Sequence, residues 1–567
     1  MKRLALFIIA ALTLGLVGFA GAAEKTKYPA PRFPSYVKPP KSIEDVMPFA
    51  RAAVRQTGGR TPLGLVEKGT VLIVVEPTAE EMVLQAIKRA YEERGVKVQM
   101  VAEHELIEVS KEEARKAKEA TRGYTSEHGY MEAARWINSR FADPEVPKKW
   151  LKERRPDLYK ALYEHEAQAS PHLKAVAEKL SRQGLSEGLI KYLDNHPEVN
   201  AVFFRRGGRT ATSRVMQHHS KKFYGNFIFD NRWELMNKAA TFPGDVWRLA
   251  EERTLEPLAW LDRVHATDPE GTDFTFDVDE KQAQAWAKGA YQQGHLYMFP
   301  HQATGRFPYS SVDYPAFTKE YNPRFLLKVS GVFAGTSNHT GSFPRIEVHL
   351  KDGYVTDVKG GGIYGEVWRE FLKYPKIHEL TYPFHDQPGY WWIYEAGLGT
   401  NPKFFKRPDE AMEGENSSER NNAGVIHWGF GLRLHHGPDK PLESKEWTDF
   451  AKQNGLPNDH WWHVHNVLVT YRVRVRGTKN TWLTLIDKGE LTALQSPEIR
   501  ALASRYGDPK ELLAEDWVPH IPGITAPGRY ADYAKDPWKT LTEVMKKIDA
   551  GNYEYFYPPV KASKTKQ

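Results

Sequence analysis

An apolar strand pattern followed by a helix and a second strand most constrains the fold of this chain. The sequence VLIVVE covers Val71–Glu76, apolar side chains with helical spacing follow over Thr78–Arg94, and Val96–Ala102 is again strand-like. Such a βαβ order predicts parallel strands covered by helices, and hence an α/β domain. The turn after the first strand reads Glu-Pro-Thr and lacks a glycine fingerprint, so we predict no nucleotide cofactor.

Further segments extend this first domain. Asn200–Phe204 and Phe227–Phe229 are apolar and predict additional strands, and Pro243–Leu261 predicts a helix that closes the domain near Asp262. Residues 110–193 are dominated by Lys, Glu, Ala, Arg and Leu, with few β-branched runs. This composition predicts a helical insertion, which would serve as a cover or as a homodimer contact.

The second half of the sequence predicts an α+β domain. Thr272–Asp277 alternates as a strand, Gln282–Tyr291 has helical spacing, and three further strands are predicted at Phe325–Gly331, Arg345–Leu350 and Gly353–Lys359. A Lys-Asp-Gly turn joins the last two strands, which is typical of a hairpin. The predicted organisation is a signal peptide at 1–22, a proline-rich strap at 23–64, the α/β domain at 65–262, the α+β domain at 263–508 and a tail at 509–567 that packs on the core.

The N-terminus has the order of a secretory signal. Lys2 and Arg3 precede an apolar run from Leu4 to Phe19, and an Ala-Gly-Ala sequence offers a cleavage site. The run is short for a spanning helix, and no basic stop-transfer cluster follows it. We therefore expect cleavage near Ala23, a periplasmic or secreted location and no integral membrane segment in the mature chain.

Composition excludes two kinds of chemistry. The 567 residues contain no cysteine, which rules out disulfides and thiolate ligands. Lys and Arg outnumber Asp and Glu by only 79 to 72 and are dispersed along the chain, so no nucleic-acid-binding surface is predicted.

The residues that carry chemistry lie between Gly389 and Leu468. In His463-Val464-His465, two imidazoles are separated by one residue and run into a β-favouring sequence. Because residues i and i+2 of a strand point to one face, we expect these imidazoles to lie side by side.

A third histidine and a carboxylate complete the predicted site. His427 lies just before a Gly-Phe-Gly sequence, and Glu395 follows an aromatic run and precedes Ala-Gly-Leu-Gly. Three imidazoles and one carboxylate suit one divalent transition metal: zinc, iron or manganese. The alternative is that the histidines are wall residues, satisfied by backbone carbonyls or stacked on Trp461 and Trp462.

The order of these segments resembles the C-terminal half of the aminopeptidase T and S metallopeptidases. In both, an acidic turn with Gly-Thr-Asn-Pro precedes a Gly-x-x-His segment and then a histidine on a strand. Thr241–Leu249 and Arg263–Val278 resemble that family's linker region as well. The resemblance covers residues 240–490 and, more weakly, 65–105.

The resemblance implies metal ligands at three positions, Glu395, His427 and His463. The chain departs from the family at His465, where the family has Asp, and at Leu434, where it has Tyr. The family's first Glu has no clear counterpart, and Phe299–Gln302 is the nearest candidate. A related enzyme that opens 2,5-dihydroxypyridine with one iron implies that such a scaffold also holds a mononuclear site.

The resemblance implies a metal-dependent aminopeptidase, in which Glu395 is a fourth ligand or the general base. The substrate would be a small peptide. The alternatives are a ring-cleaving iron dioxygenase, with a small aromatic substrate, and a periplasmic solute-binding protein without catalysis.

A basic glycine loop offers a further substrate contact. Arg205, Arg206 and Arg209 surround Gly207-Gly208 directly after a predicted strand, where guanidinium groups would clamp a carboxylate. We assign them, with His301 and Trp461, to the predicted substrate-binding set. The alternative for the loop is a solvated basic surface.

Overall fold

A computed structural model describes the greater part of the chain. The described residues are 28–32, 40–57, 62–76, 79–121, 129–204, 209–229, 231–287, 291–292, 295–297, 328–338, 341–383, 385, 387–405, 419–432, 445–459 and 462–550. The predicted signal peptide at 1–22 lies outside them. Within these ranges, no helix is both long and apolar enough to cross a membrane.

A parallel sheet of four strands organises the first half of the chain. Its strands, in the spatial order β2-β1-β3-β4, are β1 (Thr70–Val75), β2 (Lys97–Ala102), β3 (Val199–Phe204) and β4 (Phe223–Asn226). Each neighbouring pair runs parallel. The parallel α/β arrangement predicted from the βαβ pattern is therefore confirmed.

The unbroken apolar sequence of β1 follows from burial of both its faces. Val71, Ile73 and Val75 belong to one hydrophobic cluster, whereas Leu72 and Val74 belong to another. Successive side chains of a strand point to opposite faces, so a strand covered on both sides must be apolar throughout.

Helices cover this sheet and make up most of the described part of the range 110–193, predicted as a helical insertion. The helices of the first half are α1 (Ile43–Ala53), α2 (Glu81–Glu92), α3 (Glu103–Leu106), α4 (Lys111–Thr121), α5 (Tyr130–Arg140), α6 (Glu145–Arg154), α7 (Pro156–Gln168), α8 (Pro171–Lys179), α9 (Arg182–Asn195), α10 (Arg209–His218), α11 (Arg232–Leu235) and α12 (Gly244–Leu255). Short 3₁₀ helices span Leu63–Leu65, Lys238–Thr241 and Glu256–Trp260.

The strand predicted at Phe227–Phe229 is wrong. The fourth strand instead ends at Asn226, which pairs with Phe204 at the end of β3. The N–H of Phe227 donates to the carbonyl of Phe204, the last residue of β3, and Phe227–Phe229 are not part of a strand. Phe227 and Phe229 are apolar because they are buried in the core cluster on one side of the sheet.

Two antiparallel sheets build the second half of the chain. The first has eight strands in the order β11-β10-β9-β6-β5-β15-β16-β17, and the second has five in the order β14-β13-β12-β8-β7. The strands are β5 (Leu261–Thr267), β6 (Asp273–Asp277), β7 (Tyr291–Gln292), β8 (His295–Tyr297), β9 (Ser330–Asn338), β10 (Gly341–Lys351), β11 (Tyr354–Gly360), β12 (Ile393–Leu398), β13 (Ile426–Phe430), β14 (Trp462–Asn466), β15 (Thr470–Val475), β16 (Trp482–Asp487) and β17 (Glu490–Leu491).

Helices and 3₁₀ turns connect these strands. They are α13 (Glu280–Ala287), α14 (Gly362–Phe371), α15 (Lys376–Glu379), α16 (Lys445–Asn454), α17 (Pro497–Ala503), α18 (Pro509–Leu512), α19 (Tyr530–Tyr533), α20 (Pro537–Asp549) and the 3₁₀ helices Glu419–Asn421 and Thr492–Gln495. The second half is thus mixed α and β with antiparallel sheets.

Most predicted elements of this half are recovered with shifted ends, but the strand predicted at Phe325–Gly331 shares only Ser330 and Gly331 with β9, and residues 325–327 lie outside the described part of the chain. The hairpin of β10 and β11 turns at Asp352-Gly353, both with positive φ, as a tight hairpin turn requires. The helix predicted over Gln282–Tyr291 ends at Ala287 because Tyr291 pairs with Leu296 in another hairpin. The predicted domain boundary near Asp262 remains a prediction, and β5 begins beside it.

The two sheets of the second half pack face to face. Trp428 of β13 has its ring centroid 4.9 Å from that of Phe274 on β6 and 5.0 Å from that of Phe333 on β9. One face of the five-stranded sheet is therefore buried against the eight-stranded sheet. The opposite face of the five-stranded sheet points away from the eight-stranded sheet.

The C-terminal segment packs on the end of this assembly. Trp517, Ile521, Tyr533 and Val544 form a separate hydrophobic cluster with residues that flank the strands of the five-stranded sheet, namely Phe405, Val425, Val467 and Leu468.

Candidate metal centre

Three neighbouring strands of the five-stranded sheet carry the predicted ligands. β12, β13 and β14 lie side by side and antiparallel, and β14 forms the edge of the sheet. Because Trp428 faces the eight-stranded sheet, the residues on either side of it, His427 and Gly429, point to the opposite face.

The strand register brings a carboxylate and an imidazole onto that same face. Glu395 on β12 is directly opposite Gly429 on β13, and Gly429 is directly opposite His463 on β14. Opposed residues of antiparallel strands point to the same side of the sheet. Since Gly429 has no side chain, the space between Glu395 and His463 stays open above the middle strand.

Glu395 lies between two imidazoles. Its Oε1 is 3.2 Å from Nε2 of His427, and its Oε2 is 3.4 Å from Nε2 of His463. One ligand atom from each of these three residues lies within 4.8 Å of the other two, and all three side chains are buried. Bonds of about 2.0–2.2 Å to a tetrahedral zinc ion put ligand atoms roughly 3.3–3.6 Å apart. The residues therefore fit a single transition-metal ion.

Two further buried carboxylates, Glu132 and Glu419, lie near Nδ1 of His463 and Nδ1 of His465, respectively. Oε1 of Glu132, on α5, lies 3.9 Å from Nδ1 of His463, and a hydrogen bond between the two side chains helps to raise the pKa of His463. Oε1 of Glu419 lies 3.2 Å from Nδ1 of His465 and accepts a hydrogen bond of 2.8 Å from Oγ of Ser337.

The charge of these carboxylates favours a cation. Burial alone lowers the pKa of His463, but Glu132 and Glu395 outweigh it and raise that pKa to about 9. Glu132 and Glu419 are buried as completely as the imidazoles they face. The negative charge around His463 therefore favours positive charge at this position, which a bound divalent ion would supply.

Comparison with known proteins adds only weak similarity. No protein-family model and no curated protein sequence matches the chain. Among solved structures, the chain is similar to the 2,5-dihydroxypyridine dioxygenase of Pseudomonas putida KT2440, with a TM-score of 0.34 and 10% sequence identity over 81% of this chain and 99% of that chain. A similarity of this size shows neither a shared fold nor a shared activity. The assignment to the aminopeptidase T and S family has no family match and remains a prediction.

His465 lies next to the centre without joining its innermost group. It is directly opposite His427, and the two ring centroids are 5.9 Å apart. Among the described residues, the group of converging ligand atoms contains Glu395, His427 and His463 but not His465. Nδ1 of His465, one of the three predicted histidine ligands, instead lies 3.2 Å from Oε1 of Glu419. The role of His465 as a ligand stays a prediction.

The predicted substrate-binding residues fall where the structure gives no side chains. Arg205, Arg206, His301 and Trp461 lie outside the described residues. Arg209 begins α10, but its side chain is not described either. Their roles remain predictions.

Sequence reasoning missed Glu132 and Glu419. Glu132 lies in a segment rich in Lys and Glu, where one carboxylate cannot be told from its solvated neighbours, and Glu419 lies in a polar stretch that precedes β13. Neither residue has a local pattern that marks it, because its partner is supplied by a distant strand.

A second group of ligand-type side chains lies between two helices of the first half. Oδ1 of Asp194, at the end of α9, is 3.4 Å from Nε2 of His218 and 3.2 Å from Nε2 of His219, at the end of α10. The three ligand atoms lie within 4.8 Å of one another. Asp194 and His218 are about half exposed, with side chains 51% and 54% accessible, unlike the buried centre.

Proposed function

We propose that this chain is a metal-dependent enzyme whose centre binds one divalent transition metal through Glu395, His427 and His463. The observation that carries the proposal is the convergence of these three buried side chains from three adjacent strands. Two imidazoles and one carboxylate are the protein ligands of several catalytic zinc sites, and they leave a coordination position open for water or substrate.

Hydrolysis of a peptide or related amide is the reaction we favour. A bound zinc ion would lower the pKa of a coordinated water and polarise the scissile carbonyl. Glu395 lies between two imidazoles, which suits a ligand better than a free general base. Glu132 and Glu419 place negative charge near Nδ1 of His463 and Nδ1 of His465. Nε2 of His463, which lies near Glu395, is therefore the atom presented to the ion.

A ring-cleaving dioxygenase is the second candidate, and the ligand set itself favours it. Two histidines and one carboxylate with open positions are also the ligands of non-haem iron oxygenases. The choice between the two reactions rests on which metal the protein uses. A small aromatic substrate would then replace the peptide.

Metal loading separates these candidates. Apo protein is loaded with zinc, or anaerobically with ferrous iron, and offered aminoacyl amides and dihydroxylated aromatics. Amide cleavage with zinc supports the hydrolase, whereas oxygen consumption only with iron, without amide cleavage, supports the dioxygenase. Tight binding of a small molecule that is returned unchanged under every loading would favour the solute-binding alternative.

The N-terminal sequence extends the proposal to the location of the enzyme. A basic start, an apolar run and a small-residue cleavage site favour export to the periplasm or the medium. N-terminal sequencing of secreted protein tests this, with a first residue near Ala23 expected. Secreted protein that retains Met1 would contradict cleavage.

A further inference from the structure

The two ring nitrogens of His463 face different carboxylates. Nε2 lies 3.4 Å from Oε2 of Glu395, and Nδ1 lies 3.9 Å from Oε1 of Glu132. Glu395 is on β12, in the same sheet as His463, whereas Glu132 is on α5, within the helical segment 110–193. A residue of the first half of the chain thus reaches a ligand of the second half.

Packing fixes α5 against the strand that carries His463. One turn after Glu132, the ring of Trp136 lies 5.0 Å from the ring of Trp462 and stacks on Trp391 at 5.6 Å. Trp136, Trp391 and Trp462 are fully buried. Because neighbouring turns of a helix cover adjacent positions on one face, this contact holds Glu132 beside His463.

The backbone of His463 is also held in place, by two hydrogen bonds. As part of an edge strand, its N–H and carbonyl need partners outside the sheet. The N–H donates to the hydroxyl of Tyr364 at 2.9 Å, and that hydroxyl donates to the carbonyl at 3.0 Å. Tyr364 lies on α14, so the imidazole is positioned by one helix at its backbone and by another at its Nδ1 edge.

The chemistry of a metal-binding imidazole explains why a carboxylate belongs there. A neutral imidazole that binds an ion through Nε2 carries its proton on Nδ1. A carboxylate facing Nδ1 stabilises that tautomer, orients the ring and makes Nε2 a stronger ligand. Glu419 lies beside Nδ1 of His465 in the same way, so His463 and His465 each have a buried glutamate near Nδ1.

We propose that Glu132 is a positioning residue of the metal centre, and that the helical segment 110–193 is therefore a working part of the site as well as a cover. The inference rests on the proposed function. Glu132 does not bind the ion but directs Nε2 of His463 toward it.

The test compares Glu132→Gln with a carboxylate that anchors the same segment elsewhere. Glu370 on α14 is buried and pairs with Arg154 of α6 and Lys373, so Glu370→Gln weakens the attachment of the segment without touching the centre. Zinc affinity is measured by chelator competition, and the visible spectrum of the cobalt-loaded protein reports ligand geometry. Thermal unfolding of both variants confirms that each one folds.

Glu132→Gln is expected to lower zinc affinity by about 10- to 100-fold and to alter the cobalt spectrum. Glu370→Gln is expected to keep both while lowering the unfolding temperature. In a His463→Ala background, Glu132→Gln should produce no further loss of affinity, because its effect passes through His463.

Equal affinity of Glu132→Gln and the native protein would overturn the inference, as would equal losses from Glu132→Gln and Glu370→Gln. Those outcomes leave zinc binding by the native protein intact and so spare the proposed function. Absence of zinc binding by the native protein would overturn both.

Discussion

The buried centre and the exposed group between α9 and α10 contain the same types of ligand in opposite surroundings. Glu395, His427 and His463 are buried and held by strands paired on one or both sides. Asp194 and His218 project from helix ends into solvent. Convergence of three ligand atoms is common to both groups. What distinguishes the centre is that its geometry is fixed before an ion arrives.

This difference sets the expected affinity of each group. Side chains fixed by packing lose little further freedom when they bind an ion, whereas exposed side chains must be ordered and compete with water. The buried centre also has carboxylates outside the ligands, Glu132 and Glu419, which direct the imidazoles. We therefore expect stoichiometric metal at the centre alone, and the following predictions test that contrast.

The largest effect is expected from removing two ligands of the buried centre. The double variant His427→Ala, His463→Ala should fall from about one equivalent of bound metal to less than about a tenth. The matched double variant Asp194→Ala, His218→Ala should keep its metal. Metal analysis of protein purified without chelator provides the measurement, and equal metal contents in the two variants would remove the distinction between the groups.

A substitution in the space between the ligands should have the next largest effect. Valine at Gly429 places a branched side chain between Glu395 and His463, where the ion would lie, although a strand accepts valine readily. Gly429→Val should weaken zinc binding by at least about tenfold, a loss of the size seen when a metal site is distorted. Gly244→Ala, at a helix glycine with open space around it, is the control. Unchanged zinc affinity in chelator competition would place the ion elsewhere.

Asp268 and Glu270 form a third group, in which burial changes the pKa of carboxylates whose partners include hydroxyl groups and an arginine. Burial raises the pKa of Asp268 to about 7 and that of Glu270 to about 8, from 3.8 and 4.5. Oε1 of Glu270 accepts hydrogen bonds from Thr336 at 2.8 Å and Tyr530 at 3.2 Å. In these acids a bound proton offsets the buried negative charge, whereas in the metal centre a bound ion would offset it.

The contribution of Asp268 and Glu270 to the free energy of unfolding should consequently fall as the pH rises from about 4 to about 8. Below pH 4 these acids are protonated in both states; above it the unfolded chain ionises first, and the loss levels off once the folded acids ionise as well. Glu270→Gln, which mimics the protonated acid, should flatten the slope by an amount on the order of 1 kcal/mol per pH unit. Denaturant unfolding at pH 5, 7 and 9 measures it, and identical slopes in both proteins would contradict the raised pKa of Glu270.

The smallest effect is expected at the exposed group. Asp194→Ala removes one exposed ion-pair partner of His218 and His219 and should change the free energy of unfolding by less than about 0.5 kcal/mol. Metal content should stay at one equivalent. Loss of a second equivalent of tightly bound metal in this variant would show that exposure does not prevent binding there.

Much of the fold follows from local sequence patterns. The βαβ order predicts the parallel sheet because each strand and helix has its own periodicity, and the composition of residues 110–193 predicts helices for the same reason. Element ends are less predictable. Phe227–Phe229 has the apolar pattern of a strand, yet the observed pairing of β4 with β3 ends at Asn226 and Phe204.

For the candidate site, the sequence by itself determined that His463 and His465 share a face, because the alternation of side chains is a local property of any strand. Only the tertiary structure decided which partners they meet. The register of three strands brings Glu395 and His427 to His463, a helix from the first half supplies Glu132, and Glu419 lies beside Nδ1 of His465. These contacts join residues far apart in the chain and depend on packing, which no local pattern encodes.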